Sequence, residues 1–215
     1  MKLQELYANR FNNREKQSKE ALWKVLCASF FQQYIPLDSR VIDIGAGFCE
    51  FINNISCKEK YAIDLNEETS AYAHPSVKVL KDFSSLPEQS LDIAFMSNFL
   101  EHMNSKEDVL QILSKAYRVL KINGSILILQ PNIRYAYKEY WDFFDHHIPL
   151  SDKSLAEALR ITGFSIELLI PRFLPYTTKS RLPQHQYLVK FYLQLHFLWN
   201  IFGKQAFIIG KKFPP

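Results

Sequence analysis

Cysteine is scarce and poorly spaced for chemistry: Cys27, Cys49 and Cys57 form no CxxC pair and leave an odd count. Neither a disulfide framework nor a zinc site is expected. Basic residues are scattered, and the net charge of +4 is mild, so no nucleic-acid partner is expected. The start, MKLQELYANRFNNREK, lacks the apolar core of a secretion signal. No apolar run is long and uninterrupted enough to span a bilayer. A cytoplasmic location is the expectation. Internal repeats and low-complexity tracts are also missing.

What the chain does contain is enough for one domain with a proper core, since 47% of its 215 residues are hydrophobic. Residues 2–34 read as helix until Pro36 stops it. Strands are expected at 40–45, 60–65, 77–81, 91–97, 122–131 (entered through an Asn-Gly turn), 164–170 and 204–212. Apolar spacing predicts helices over 105–120 and 152–163, the second closed by Gly163. Strands alternating with helices mean crossover units and a mostly parallel sheet covered on both faces. The connection from Pro171 to Gly203 is too long for a plain loop and holds its own helical stretch.

In such a sheet, ligands bind beyond the C-terminal strand ends, and the informative residues lie there. The first strand runs into VIDIGAGFCEF (41–51), with Asp43, Gly45 and Gly47. Asp64 ends the second, about 20 residues on, where a carboxylate can take a ribose diol. Asp82 and Phe83 follow the third strand, Asn98, Glu101 and His102 the fourth, Pro131 and Asn132 the fifth. A pyrophosphate needs a clear helix N-terminus with converging N–H groups. Here the third glycine of a dinucleotide loop is replaced by Cys49, and Glu50 follows it. An acidic, glycine-lined turn suits a nucleoside with a cationic tail and no phosphate, which describes S-adenosylmethionine.

Together VIDIGAGFCEF, YAIDLN, KDFSSLP, LDIAFMSNFLEHM and VLKINGSILILQPN, in that order, resemble a class I S-adenosylmethionine-dependent methyltransferase of the type 11/12 group. The resemblance covers roughly residues 38–170. It implies a Rossmann-like seven-stranded, mostly parallel α/β sheet, with helices on both faces, an antiparallel last strand and a helical insertion before it. The expected divisions are an N-terminal helical lid (1–37), a cofactor-binding core (38–170), a helical substrate region (171–203) and a last strand (204–215). It also implies that Asp43, Gly45, Ala46 and Gly47 line the methionine and ribose part of the cofactor. Asp64 would hold the ribose diol, with Leu65 beside the adenine. Asp82 would take the adenine amino group and Phe83 a ring nitrogen, while Asn98 and Phe99 would floor the pocket near the sulfonium.

Methyl transfer is an in-line displacement, so the enzyme must align an acceptor and exclude water. A hydroxyl acceptor also needs a base. His146 and His102 are the catalytic candidates, among Glu101, Asp145 and His147. His146 lies in YWDFFDHHIPLS (140–151), which packs aromatics against acids and imidazoles; Ser151 there reads as a helix cap. Asp142, Asp145 and His146 offer donors for a hard or borderline cation, but no spacing signature supports a metal site and none is assigned.

The last third resembles bacterial methyltransferases associated with sugars or surface polysaccharide precursors. The expected activity is O-methylation of a small-molecule or glycosyl acceptor, a lipid-linked sugar included. An acceptor of another class, nitrogen, carbon or a macromolecule, is the alternative, as is a non-catalytic cofactor-binding module. The apolar stretch 183–203 could cover the substrate, mediate a homodimer or lie on a membrane. Arg172, Tyr176, Thr177, Lys179 and Arg181 are candidates to meet an anionic or sugar-like acceptor.

Overall fold

The computed structural model describes residues 13–176 and 186–214; Thr177, Lys179 and Arg181 lie outside them. Seven strands form one sheet in the order β3-β2-β1-β4-β5-β7-β6. They are β1 (Arg40–Ile44), β2 (Glu59–Ile63), β3 (Val77–Leu80), β4 (Leu91–Ser97), β5 (Leu120–Pro131), β6 (Ser165–Ile170) and β7 (Gln205–Lys211). The β1–β2, β1–β4, β2–β3 and β4–β5 pairs are parallel, and β7 runs antiparallel between β5 and β6. The expected α/β class, with its antiparallel last strand, is therefore the one observed. The chain order reverses direction at β1 and β4, whose C-terminal ends carry the informative turns.

Because side chains alternate across a strand, the central strands feed two cores. Val41, Phe95, Leu127 and Phe207 face one side; Ile42, Met96, Ile128 and Ile208 face the other. The second side is mostly aliphatic and is covered by α4 (Lys106–Val119) and α6 (Asp152–Ile161). Both helices start as their sequences ask. Ser105 accepts from Asp108 N–H, and Ser151 makes a reciprocal capping box with Ser154. The first side is aromatic. Trp23 of α1 (Asn13–Ser29) meets Phe31, Phe51 and Phe95, and Phe51 stacks on Phe95 with centroids 3.5 Å apart.

Three elements differ from the sequence reading. The helix expected over 2–34 is described only from Asn13, ends at Ser29 and gives way to a 3-10 turn at Phe31–Tyr34. The break at Phe30 lets Phe30 and Phe31 both enter the aromatic core, where Phe31 is fully buried. The apolar stretch after residue 185 is two helices, α7 (Gln186–Gln194) and α8 (His196–Phe202), interrupted at Leu195. Strand β5 begins at Leu120, earlier than expected, and absorbs Asn123 as part of an irregularity opposite Leu91–Ile93. Asn123 adopts φ +64°, so the asparagine, not Gly124, takes the left-handed turn conformation.

Candidate active site

The turn after β1 is built for close approach. Gly45 has φ +74° and Gly47 φ +52°. A Cβ at Gly45 would stand 2.6 Å from Phe99 Cγ, whereas a Cβ at Gly47 would meet nothing within 4 Å. Gly45 is thus required by backbone and packing together, while Gly47 borders open space. Gly45 and Ala46 donate their N–H groups to the Ile63 carbonyl, at 2.8 and 3.2 Å. Gly47 N–H donates to Asp64 Oδ2 at 2.6 Å, and Asn66 N–H to Asp64 Oδ1 at 2.7 Å. The amide a phosphate would use is therefore held by the protein's own carboxylate.

Cys49 shows why a glycine would suit its place. It adopts φ +60° ahead of the short helix α2 (Glu50–Asn54) and is fully buried. A left-handed non-glycine residue costs about 1–2 kcal/mol, a strain not visible in the sequence. Burial and nearby carboxylates push its thiol up to about 12, so it is inert.

Asp43 is buried at 3% exposure. Burial, then the Glu50 and Asp64 carboxylates, hold its carboxyl well above the usual range, against a backbone hydrogen bond at Ile52. Glu50 is paired with Lys19 at 2.9 Å. The turn therefore collects acids around an apolar floor, an environment that favours an approaching cation. Leu65 stands exposed at the end of β2. Asp82 is exposed after β3 and accepts from Ser84 N–H at 2.7 Å; the Ser84 side chain first, and its N–H second, lower the Asp82 carboxyl, and Phe83 is buried behind it.

The turn after β4 joins two clusters. Asn98 sits at φ +47°, its N–H bound to the Leu129 carbonyl and its Oδ1 buried without a hydrogen-bond partner. Such an acceptor costs about 1–3 kcal/mol until something donates to it. Phe99 packs on Gly45, and three residues on, His102 reaches the second cluster. His102 Nδ1 lies 2.9 Å from the Asp145 carbonyl and 3.2 Å from its carboxylate. The His102 and His146 rings are 5.1 Å apart, and Tyr176 Oη is 3.5 Å from His146 Nδ1. Glu101 is 1% exposed and accepts from Gln130 Nε2 at 2.9 Å. Burial pushes its carboxyl up, although His102 opposes this.

Of the residues expected near the acceptor, the structure gathers Glu101, His102, Asp145 and His146. His147 is exposed and contributes its N–H to the Glu101 carbonyl, while Asp142 points away as an exposed residue. Asp142 therefore does not join Asp145 and His146 in a donor set. Gln130 and Tyr140 are not singled out by the sequence reading. Gln130 is a buried polar residue closing an apolar strand, a signal the sequence does carry. Tyr140 donates to the Ile148 carbonyl at 2.6 Å and holds the loop that carries His146. Asn132 is structural: its amide bridges Asp152 and the Pro171 carbonyl.

Sheet order, acid-ringed glycine turn and strand-end residues define a Rossmann-like methyltransferase fold. Residues 42–128 match the family described as a methyltransferase domain. A SAM-dependent methyltransferase of Archaeoglobus fulgidus superposes with TM-score 0.66 at 22% identity, covering 90% of this chain and 94% of that one. A Thermotoga maritima SAM-dependent methyltransferase, named as a possible histamine N-methyltransferase, gives 0.63 at 19%, with 89% of each chain covered. The [4+2]-cyclase SpnF gives 0.61 at 17%, covering 91% and 81%. No curated protein sequence matches the chain. Residues 42–128 thus match a methyltransferase domain within a chain that has the fold of S-adenosylmethionine-dependent methyltransferases, and the cofactor this indicates is S-adenosylmethionine.

Proposed function

We propose that the protein transfers a methyl group from S-adenosylmethionine to a hydroxyl of a small-molecule or glycosyl acceptor. One observation carries this reading. The turn after β4 places Phe99 against Gly45 and, three residues later, His102 against His146. A methionine tail lying over the glycine turn would present its methyl toward the imidazoles. Asp64 holds the ribose diol by its remaining lone pairs, and Asp43 with Glu50 favours the cationic tail. Ala46 and Gly47 line the tail. Leu65, Asp82 and Phe83 frame the adenine, and Asn98 offers its buried amide oxygen to a donor on the cofactor. His146, with His102 beside it, activates the acceptor.

A sugar hydroxyl is supported by the polar, aromatic-walled cluster around His146, which suits a neutral polyol more than a long apolar chain. In this reading α1 belongs to a lid over the cofactor, and Tyr176, beside His146, belongs to the acceptor side. Among the described residues no helix is long and apolar enough to cross a membrane. A cytoplasmic location belongs to this reading, and cell fractionation would test it. The exposed Tyr187, Phe191, Phe197 and Ile201 of α7 and α8 support self-association through 183–203, which sedimentation would test by a concentration-dependent dimer.

Calorimetric titration with S-adenosylhomocysteine, followed by methyl-transfer assays on polyol and amine panels, tests the function. Transfer to amines alone would replace the hydroxyl reading. Tight cofactor binding with no transfer would favour a non-catalytic module.

A further inference from the structure

The acceptor-side cluster has a property beyond two neighbouring imidazoles. One carboxylate oxygen of Glu101, one nitrogen of His102 and one nitrogen of His146 all lie within 4.8 Å of one another. Around a cation with bonds of about 2.0–2.2 Å, cis or tetrahedral ligand atoms stand roughly 3–3.5 Å apart, so small side-chain rotations would close the set. Two imidazoles and one carboxylate suit a borderline divalent cation and leave coordination positions open.

The surroundings match what metal-binding side chains require, since each ligand needs a partner that fixes its orientation. His102 Nδ1 faces the Asp145 carbonyl and carboxylate, which leaves the Nε2 lone pair as the ligand. Glu101 is oriented by the Gln130 amide. His146 is stacked on Phe143 and meets Tyr176 Oη through Nδ1. Glu101 and His146 are almost wholly buried, so a cation there would be shielded from water on the protein side.

We propose that Glu101, His102 and His146 form a binding site for a divalent transition cation, with Mn²⁺ and Zn²⁺ as its probes. The open positions take the oxygen of the methyl acceptor. This last role rests on the methyl-transfer reading; cation binding itself does not. His102 and His146 then act together as ligands of a cation that polarises the acceptor oxygen: the hydroxyl proton passes to solvent, the methyl moves from the sulfonium sulfur to that oxygen, and S-adenosylhomocysteine leaves as the neutral thioether.

The test uses the full chain, stripped with chelator and titrated with Mn²⁺ under electron paramagnetic resonance, with Zn²⁺ as competitor. One Mn²⁺ per chain is expected, displaced by Zn²⁺. His102→Ala and His146→Ala should each weaken Mn²⁺ binding at least about 100-fold, and Glu101→Gln about 10- to 100-fold, by analogy with the loss from removing supporting partners. His74→Ala, an exposed histidine elsewhere, should leave binding unchanged. S-adenosylhomocysteine affinity, read on the same samples, reports that each variant is folded. A folded wild-type chain that takes up neither cation overturns the site, as does binding that survives in both histidine variants. Cation binding without any cofactor binding would overturn the methyl-transfer reading and leave the site standing; cofactor binding without cation would do the reverse.

Discussion

The two ends of the turn after β4 are built in different ways. The cofactor end is local: Gly45 to Asp64 are contiguous in chain and sheet, and their contacts are mostly backbone N–H groups on a carbonyl or on Asp64. The acceptor end is assembled from Glu101 and His102, Gln130, Asp145 and His146, and Tyr176, brought together through side chains. A backbone-built site can keep its shape while its neighbour diverges. In the proposed reading the cofactor end would therefore be set by backbone shared with the fold, while the acceptor end would depend on this chain's own side chains.

If the two ends act independently, variants should separate them. His146→Ala should lower turnover about 10³-fold, near 4 kcal/mol in the barrier, with cofactor affinity unchanged in calorimetry. Gly45→Ala should act on the other end and on the fold. A left-handed alanine in contact with Phe99 should cost about 3 kcal/mol, read as a fall in Tm of roughly 6–12 °C. A further loss of cofactor affinity would confirm that Phe99 cannot give way freely. Asp64→Ala should weaken cofactor binding about 100-fold, near 2.7 kcal/mol, and should also release Gly47 N–H.

Asp43 supplies the smallest effect and one of defined sign. Its folded carboxyl is held above the unfolded value of 3.8, so the native state binds more protons than the unfolded one. Stability of the free chain should then fall as pH rises from about 4 through the folded value. Asp43→Asn should flatten that fall in urea titrations while weakening cofactor binding. A wild-type profile that rises over the same window would contradict the burial argument.

This contrast also explains what could be read in advance. Strand ends with Asp43, Asp64 and Asp82 are visible because apolar runs stop there, and a mostly parallel sheet follows from strands alternating with helices. The positive φ of Cys49 is hidden, since cysteine does not announce it. So is the break of α1 at Phe30, where tertiary burial of two phenylalanines overrides helical spacing. Glu101 stands beside His102 in NFLEHM, yet its pairing with Gln130 and its approach to His146 depend on how β5 and the 140–150 loop fold back. Asp142 looks equivalent to Asp145 in sequence and is exposed in the structure because the short turn at Tyr140–Asp142 aims it outward.

The most direct measurement is a calorimetric titration of the wild-type chain, Asp64→Ala and His146→Ala with S-adenosylhomocysteine. One site per chain is expected in the wild type, the same site in His146→Ala, and a loss of about 100-fold in Asp64→Ala. No binding to the folded wild-type chain, or equal binding by Asp64→Ala, would contradict a cofactor site built on the turn after β1.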